Sequence, residues 1–152
     1  MTGARRATLA TIAASAGVSV PTDGEFTVTV RVRNTGSRAG QEVVQLYLND
    51  VLAQVTRPLR QLAGFARVSL EPDAAADVRF AVHADRTAFT GRDLRRIVEP
   101  GDVEILVGSS AGDDGLPCRR LIRLTGPLRV VGPDRRLRTP VEVLPISSPA
   151  VG

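Results

Sequence analysis

With 152 residues the chain is the size of one domain, long enough to bury roughly 70% of the surface its unfolded form exposes without covalent staples. One cysteine, Cys118, and one histidine, His83, exclude an intrachain disulfide, a multi-cysteine metal site and most triad chemistry. All twenty basic residues are arginine, yet the net charge is only +4; they are dispersed, and with no tryptophan, one tyrosine and four phenylalanines there is little to stack bases or sugar rings upon.

Met1 to Arg6 is a basic leader, ATLATIAA is weakly apolar, and Ala14-Ser15-Ala16 has the small-residue spacing of a signal cleavage site. Leu9 and Ile12 are the only strong hydrophobes of that stretch, so residues 7–15 are read instead as a first edge strand, with a cytoplasmic chain preferred over a secreted one. Nowhere is there a run of about 18 apolar residues, so no membrane-spanning helix is expected. Gly17 to Gly24, with Pro21 and Asp23-Gly24, reads as a turn-rich link.

From Glu25 to Asn49 the pattern is clearest. Phe26, Val28, Val30 and Val32 alternate with Thr27, Thr29, Arg31 and Arg33, a period of two that gathers the apolar side chains on one face of a strand. Val44, Leu46 and Leu48 alternate in the same way with Gln45, Tyr47 and Asn49. Between them Asn34-Thr35-Gly36-Ser37 must turn the chain, because Asn and Gly tolerate positive φ and Asn and Ser bond locally to the backbone. This spacing leaves open whether the chain returns in the same sheet or arches to the opposite one; the later segments favour opposite sheets.

Beyond Asn49, Pro58 sits in a loop and biases Arg57 towards extended geometry. Leu59, Leu62, Phe65, Val68 and Leu70 surround Gly64, and a glycine inside a strand pattern points to a bulge or a close backbone approach. Glu71-Pro72-Asp73 is a turn, followed by a strand with Val78, Phe80 and Val82 on one face. The long connection from His83 to Gly101 is expected to hold a short helical turn and a brief strand near Arg96 to Val98. Val103, Ile105 and Val107 form another inward face, and Ile122 and Leu124 a last one after a loop rich in Gly and Asp. About seven strands at turn-punctuated intervals, with no helix-length periodic segment, predict an all-β, immunoglobulin-like two-sheet antiparallel sandwich over residues 7–125. Five of the ten prolines lie after residue 125, so residues 126–143 are expected to run extended and 144–152 to form a disordered tail.

Three segments taken together, TVRVRNTGSRAGQEVVQLYL, VTRPLRQLAGFARVSLEP and AFTGRDLRRIVEPGDVEILVGSS, resemble in order and spacing the fibronectin type III-like domain at the C-terminal end of family 3 glycoside hydrolases, the β-glucosidase group. The resemblance covers about Thr27 to Ser110 and implies a scaffold that follows a TIM-barrel domain and an α/β domain. Those domains carry the nucleophile and general acid, which a retaining glycosidase holds about 5 Å apart. Nothing here matches their motifs, so the resemblance implies no catalytic residue, no cofactor and no metal. Its implied partners are the TIM-barrel and α/β domains, in the same chain or from a split gene, and neither nucleic acid nor membrane. It further implies that Arg57, Pro58 and Phe65 contact those domains. Thr90 and Arg96 stand where the family often has aromatic residues.

Other candidates carry bland readings. His83 with Asp85 and Asp93 has the residue types of a general base and its orienting carboxylate, but reads as a loop histidine at a strand end. Ser109, Asp113 and Asp114 could supply oxygens to calcium, but read as a solvated hairpin. Cys118 beside Arg119 and Arg120 would favour a thiolate if exposed, but reads as structural. The expectation is an accessory domain of a glycosidase; the alternative is an independent carbohydrate- or protein-binding sandwich.

Overall fold

The structure is a computed structural model that describes residues 7–12, 19–51, 60–110 and 118–146. In chain order its strands are β1 (Ala7–Ile12), β2 (Ser19–Pro21), β3 (Glu25–Asn34), β4 (Gly40–Asp50), β5 (Gln61–Leu70) and β6 (Ala75–His83). After a 3-10 turn at Ala84–Thr87 come β7 (Phe89–Thr90), β8 (Arg96–Val98), β9 (Gly101–Gly108), β10 (Cys118–Thr125), β11 (Arg129–Val130) and β12 (Val141–Ile146). They make one sheet in the order β1-β3-β6-β12, a second in the order β2-β10-β9-β4-β5, and a small third sheet, β11-β8-β7.

The two larger sheets enclose the core, and the alternation in the sequence is the alternation of burial. In β3 the inward residues Phe26, Val28, Val30 and Val32 are buried, and β6 pairs with it antiparallel so that Val28 lies opposite Phe80 and Val30 opposite Val78. Across the sandwich, Val44, Leu46 and Leu48 of β4 and Val103, Ile105 and Val107 of β9 are buried in the same apolar cluster. Each fully buried valine or leucine contributes about 1.5–3 kcal/mol relative to an exposed one, so these paired faces outweigh any local preference.

Because β3 and β4 belong to different sheets, the chain must arch across the sandwich within a few residues, and Asn34 manages the crossing. It is buried, and its amide nitrogen donates to the carbonyls of Arg38 at 2.8 Å and Leu70 at 3.0 Å. Its side-chain oxygen accepts from the Gly36 N–H at 2.9 Å, while its backbone bonds Asp73 and Ala74. Positive φ plays no part at Asn34; among the described non-glycine residues it occurs at Asp73 and Leu94.

Gly64 fulfils both expectations attached to it. In the β4–β5 pairing Leu46 faces Gly64 and Tyr47 faces Leu62, leaving Ala63 as the extra residue of a bulge. A Cβ on Gly64 would lie 3.1 Å from Phe80 Cδ1 and 3.2 Å from Thr139 Cγ2, so glycine permits the close approach of the C-terminal segment.

Two expectations are corrected. The link from Gly17 to Gly24 contains β2, which adds to β10 as a parallel strand, Val20 pairing with Leu124. The segment expected to be tail from residue 144 is ordered through Ile146: β12 pairs antiparallel with β6, Val143 opposite Val78 and Pro145 opposite Ala76. Pro145 is compatible with this strand because β12 lies at the sheet edge, where a missing N–H is tolerated. The sandwich therefore extends past residue 125, and nine strands rather than about seven occupy the two larger sheets among the described residues.

The face assignment is tested by two aspartates. Val30→Asp is expected to unfold the domain, losing about 1.5–3 kcal/mol of burial and adding an unpaired buried carboxylate. Thr29→Asp, opposite Arg79 on the outer face, is expected to shift the melting temperature only slightly; thermal melts of the two variants separate the outcomes.

Candidate functional site

The sequence-level candidates resolve into structural roles. His83 ends β6 and caps the 3-10 turn, its Nδ1 accepting from the Asp85 N–H at 3.1 Å, while its Nε2 lies 3.0 Å from the Asp23 carbonyl. Asp85 is buried and is the better-placed carboxylate: it receives the Arg129 guanidinium and the Arg136 N–H at 2.8 Å, with His83 Nδ1 at 3.3 Å. Arg129 also donates to the Thr22 carbonyl at 2.8 Å. The cluster thus fastens the residues after β10 to the 3-10 turn and to the β2–β3 turn. Asp93 takes no part, being bonded to Arg95 at 2.7 Å.

Burial alone would raise the Asp85 pKa, but the hydrogen bonds from Arg129 and Arg136 and the charge of Arg129 outweigh it and hold the carboxyl below its ordinary range. At Cys118 burial pushes the thiol up against the opposing pull of Arg120, so the thiolate is disfavoured. Arg96 meets the Ala88 carbonyl at 3.1 Å from a half-buried position. Arg57, Pro58, Asp113 and Asp114 lie outside the described residues, as do residues 147–152 of the expected tail. No group of three or more His, Cys, Asp or Glu able to hold a metal occurs among the described residues.

Phe65 is on the surface, 64% exposed, at the edge strand of the second sheet. It borders an open groove of about 490 Å³ between the β5 bulge and the segment leading into β12, with Arg86 and Arg138 on its walls. Neighbouring carbonyls of a regular strand point to opposite sides; the bulge lets those of Leu62 and Ala63 both meet Arg86 Nη2, at 3.5 and 3.1 Å. Arg86 Nη1 reaches the Leu137 carbonyl at 2.8 Å, and burial lowers the pKa of the guanidinium. Composition and periodicity could not reveal this groove, since it joins residues from three distant stretches.

The Asp85 cluster yields a stability prediction. Asp85→Ala leaves Arg129 uncompensated and is expected to cost about 3–5 kcal/mol, and Asp85→Asn less, because it keeps an acceptor. Since the folded-state pKa is lowered, the unfolded chain binds the proton first. The stabilisation is therefore complete above the unfolded value of about 4 and is lost as pH falls through the folded one. Melting curves from pH 7 to 3 should show a shallower acid loss for Asp85→Asn than for the unmutated chain.

Residues 42–111 match the model of the fibronectin type III-like domain. A β-xylosidase of Formosa agariphila is 42% identical over 98 residues, 64% of this chain and 14% of that protein. The periplasmic β-glucosidase of Salmonella typhimurium is 37% identical over 86 residues, 57% of this chain and 11% of that one. Among solved structures, a β-glucosidase from Erythrobacter marinus matches with a TM-score of 0.72 and 33% identity, covering 80% of this chain and 16% of the other. The chain thus spans 14% or less of the length of these two curated relatives. Residues 42–111 therefore match a fibronectin type III-like domain, and the chain is similar to the part of the β-glucosidases and β-xylosidases of glycoside hydrolase family 3 that it aligns with.

Proposed function

We propose that this chain is a non-catalytic accessory domain that packs against and stabilises the TIM-barrel and α/β domains of a family 3 glycoside hydrolase, whether these are joined to it or supplied by a separate gene. The observation that carries the reading is the partial match: relatives 36–42% identical align with this chain over only 11–14% of their own length. The site chemistry supports it. Glycoside hydrolysis by retention needs two carboxyl groups about 5 Å apart, one of them free to act as a nucleophile. Asp77, Asp93 and Asp102 are each bonded to an arginine, and Asp85 to two donors in the interior. These carboxylates serve the scaffold.

Incubation of the chain with a chromogenic β-glucoside and a β-xyloside tests the claim. No turnover above the uncatalysed rate is expected, and sustained hydrolysis that is lost with an unfolding variant such as Val30→Asp would refute it. Retention on an immobilised polysaccharide in the absence of any glycosidase would favour an independent sugar-binding module.

A further inference from the structure

We infer that the groove between the β5 bulge and the segment before β12 is the docking site for a protein loop that presents a carboxylate flanked by apolar side chains, a loop belonging to the catalytic part of the glycosidase. This rests on the function proposed above and adds the surface and its chemistry.

Three observations converge there. Leu62 and Phe65, both lining the groove, are 45% and 64% exposed, and Pro140 adds an apolar side chain on the opposite wall. Within the groove stand two cations, Arg86 and Arg138, and neither forms an ion pair with a carboxylate among the described residues. Arg31, Arg95, Arg123, Arg129 and Arg136, by comparison, each have an acidic partner.

The third observation is the unfilled bonding capacity. Arg86 Nε and Thr139 Oγ1 are buried atoms without a hydrogen-bond partner, and a buried donor left unmatched is costly. Arg86 spends its Nη groups on three backbone carbonyls, which fix the guanidinium but do not neutralise it. A desolvated cation held rigid by neutral acceptors and bordered by apolar side chains matches the anatomy of an interface centre, where arginine and aromatic residues dominate the binding energy. The chemistry that completes it is a carboxylate received beside the two guanidinium groups that line the groove, bonded by Arg138 and attracted by the charge of Arg86.

The test titrates the full 152-residue chain into the Erythrobacter marinus β-glucosidase shortened to remove its own fibronectin-like domain, by calorimetry at 50 mM and 500 mM salt. Binding is expected, weakened about tenfold or more by Phe65→Ala and by Arg86→Met, with a flatter salt response for Arg86→Met. Arg138→Ala removes no side-chain hydrogen bond or ion pair among the described residues, and its expected loss of about threefold or more guards against misfolding of the Arg86 variant. Leu121→Ala, an exposed position on β10, should stay within about twofold. If the chain binds and all three groove variants bind equally well, docking uses another face and the inference fails while the proposed function stands. If the unmutated chain does not bind a shortened enzyme that melts cooperatively and still turns over substrate, the glycosidase is removed as partner and both fail. Self-association of the chain that Phe65→Ala abolishes would assign the groove to a second copy and overturn the inference.

Discussion

The fold depends on bringing two apolar strand faces, β3 and β4, against each other from different sheets. A hairpin would have placed them side by side and left the faces of Val28, Val30 and Val32 without the opposing layer that buries them. Asn34 enforces the arch by bonding Arg38 and Leu70 through its amide nitrogen and Gly36 through its oxygen, so a buried polar residue is satisfied on both sides. Its bond to Leu70 and the backbone bonds to Asp73 and Ala74 also pin the β5–β6 turn. The register of β3 on β6 and that of β4 on β5 are therefore set from the same point.

Much of this was legible because period-two alternation is a local signal. Phe26 to Val32, Val78 to Val82 and Val103 to Val107 need only their own sequence to declare which side is apolar, and Gly64 announces a bulge because no packed strand centre prefers glycine. What was not legible depended on distant partners. β2 is three residues long and exists because β10 offers an open edge. The prolines after residue 125 suggested an extended segment to 143 and a disordered tail from 144, but β6 also had a free edge, and pairing there satisfies a backbone that local propensity leaves undecided.

The site divides along the same line. Single chemistry-bearing residues such as His83 and Cys118 were easy to notice and turn out to serve as a cap and a half-buried thiol. Asp85, the most thoroughly bonded carboxylate among the described residues, was visible in the sequence only as a neighbour of His83; its bonds to Arg129 and Arg136 were not, because those partners lie 44 and 51 residues away. Its role is mechanical: it holds the segment that carries Leu137, Arg138 and Thr139 against the sandwich and so shapes one wall of the groove beside Phe65. Phe65 was named from resemblance; the cations beside it came only from three-dimensional proximity.

The ion pairs of Asp77, Asp85, Asp93 and Asp102 serve the domain's own architecture, and the surface beside Phe65 is the one proposed to meet a neighbour. The most direct measurement is the melting temperature of a family 3 glycosidase catalytic portion lacking this domain, with and without the separate chain. The account predicts an upward, concentration-dependent shift when the chain is added, as required when a ligand binds only the folded state. An unchanged melting temperature at saturating chain would contradict it.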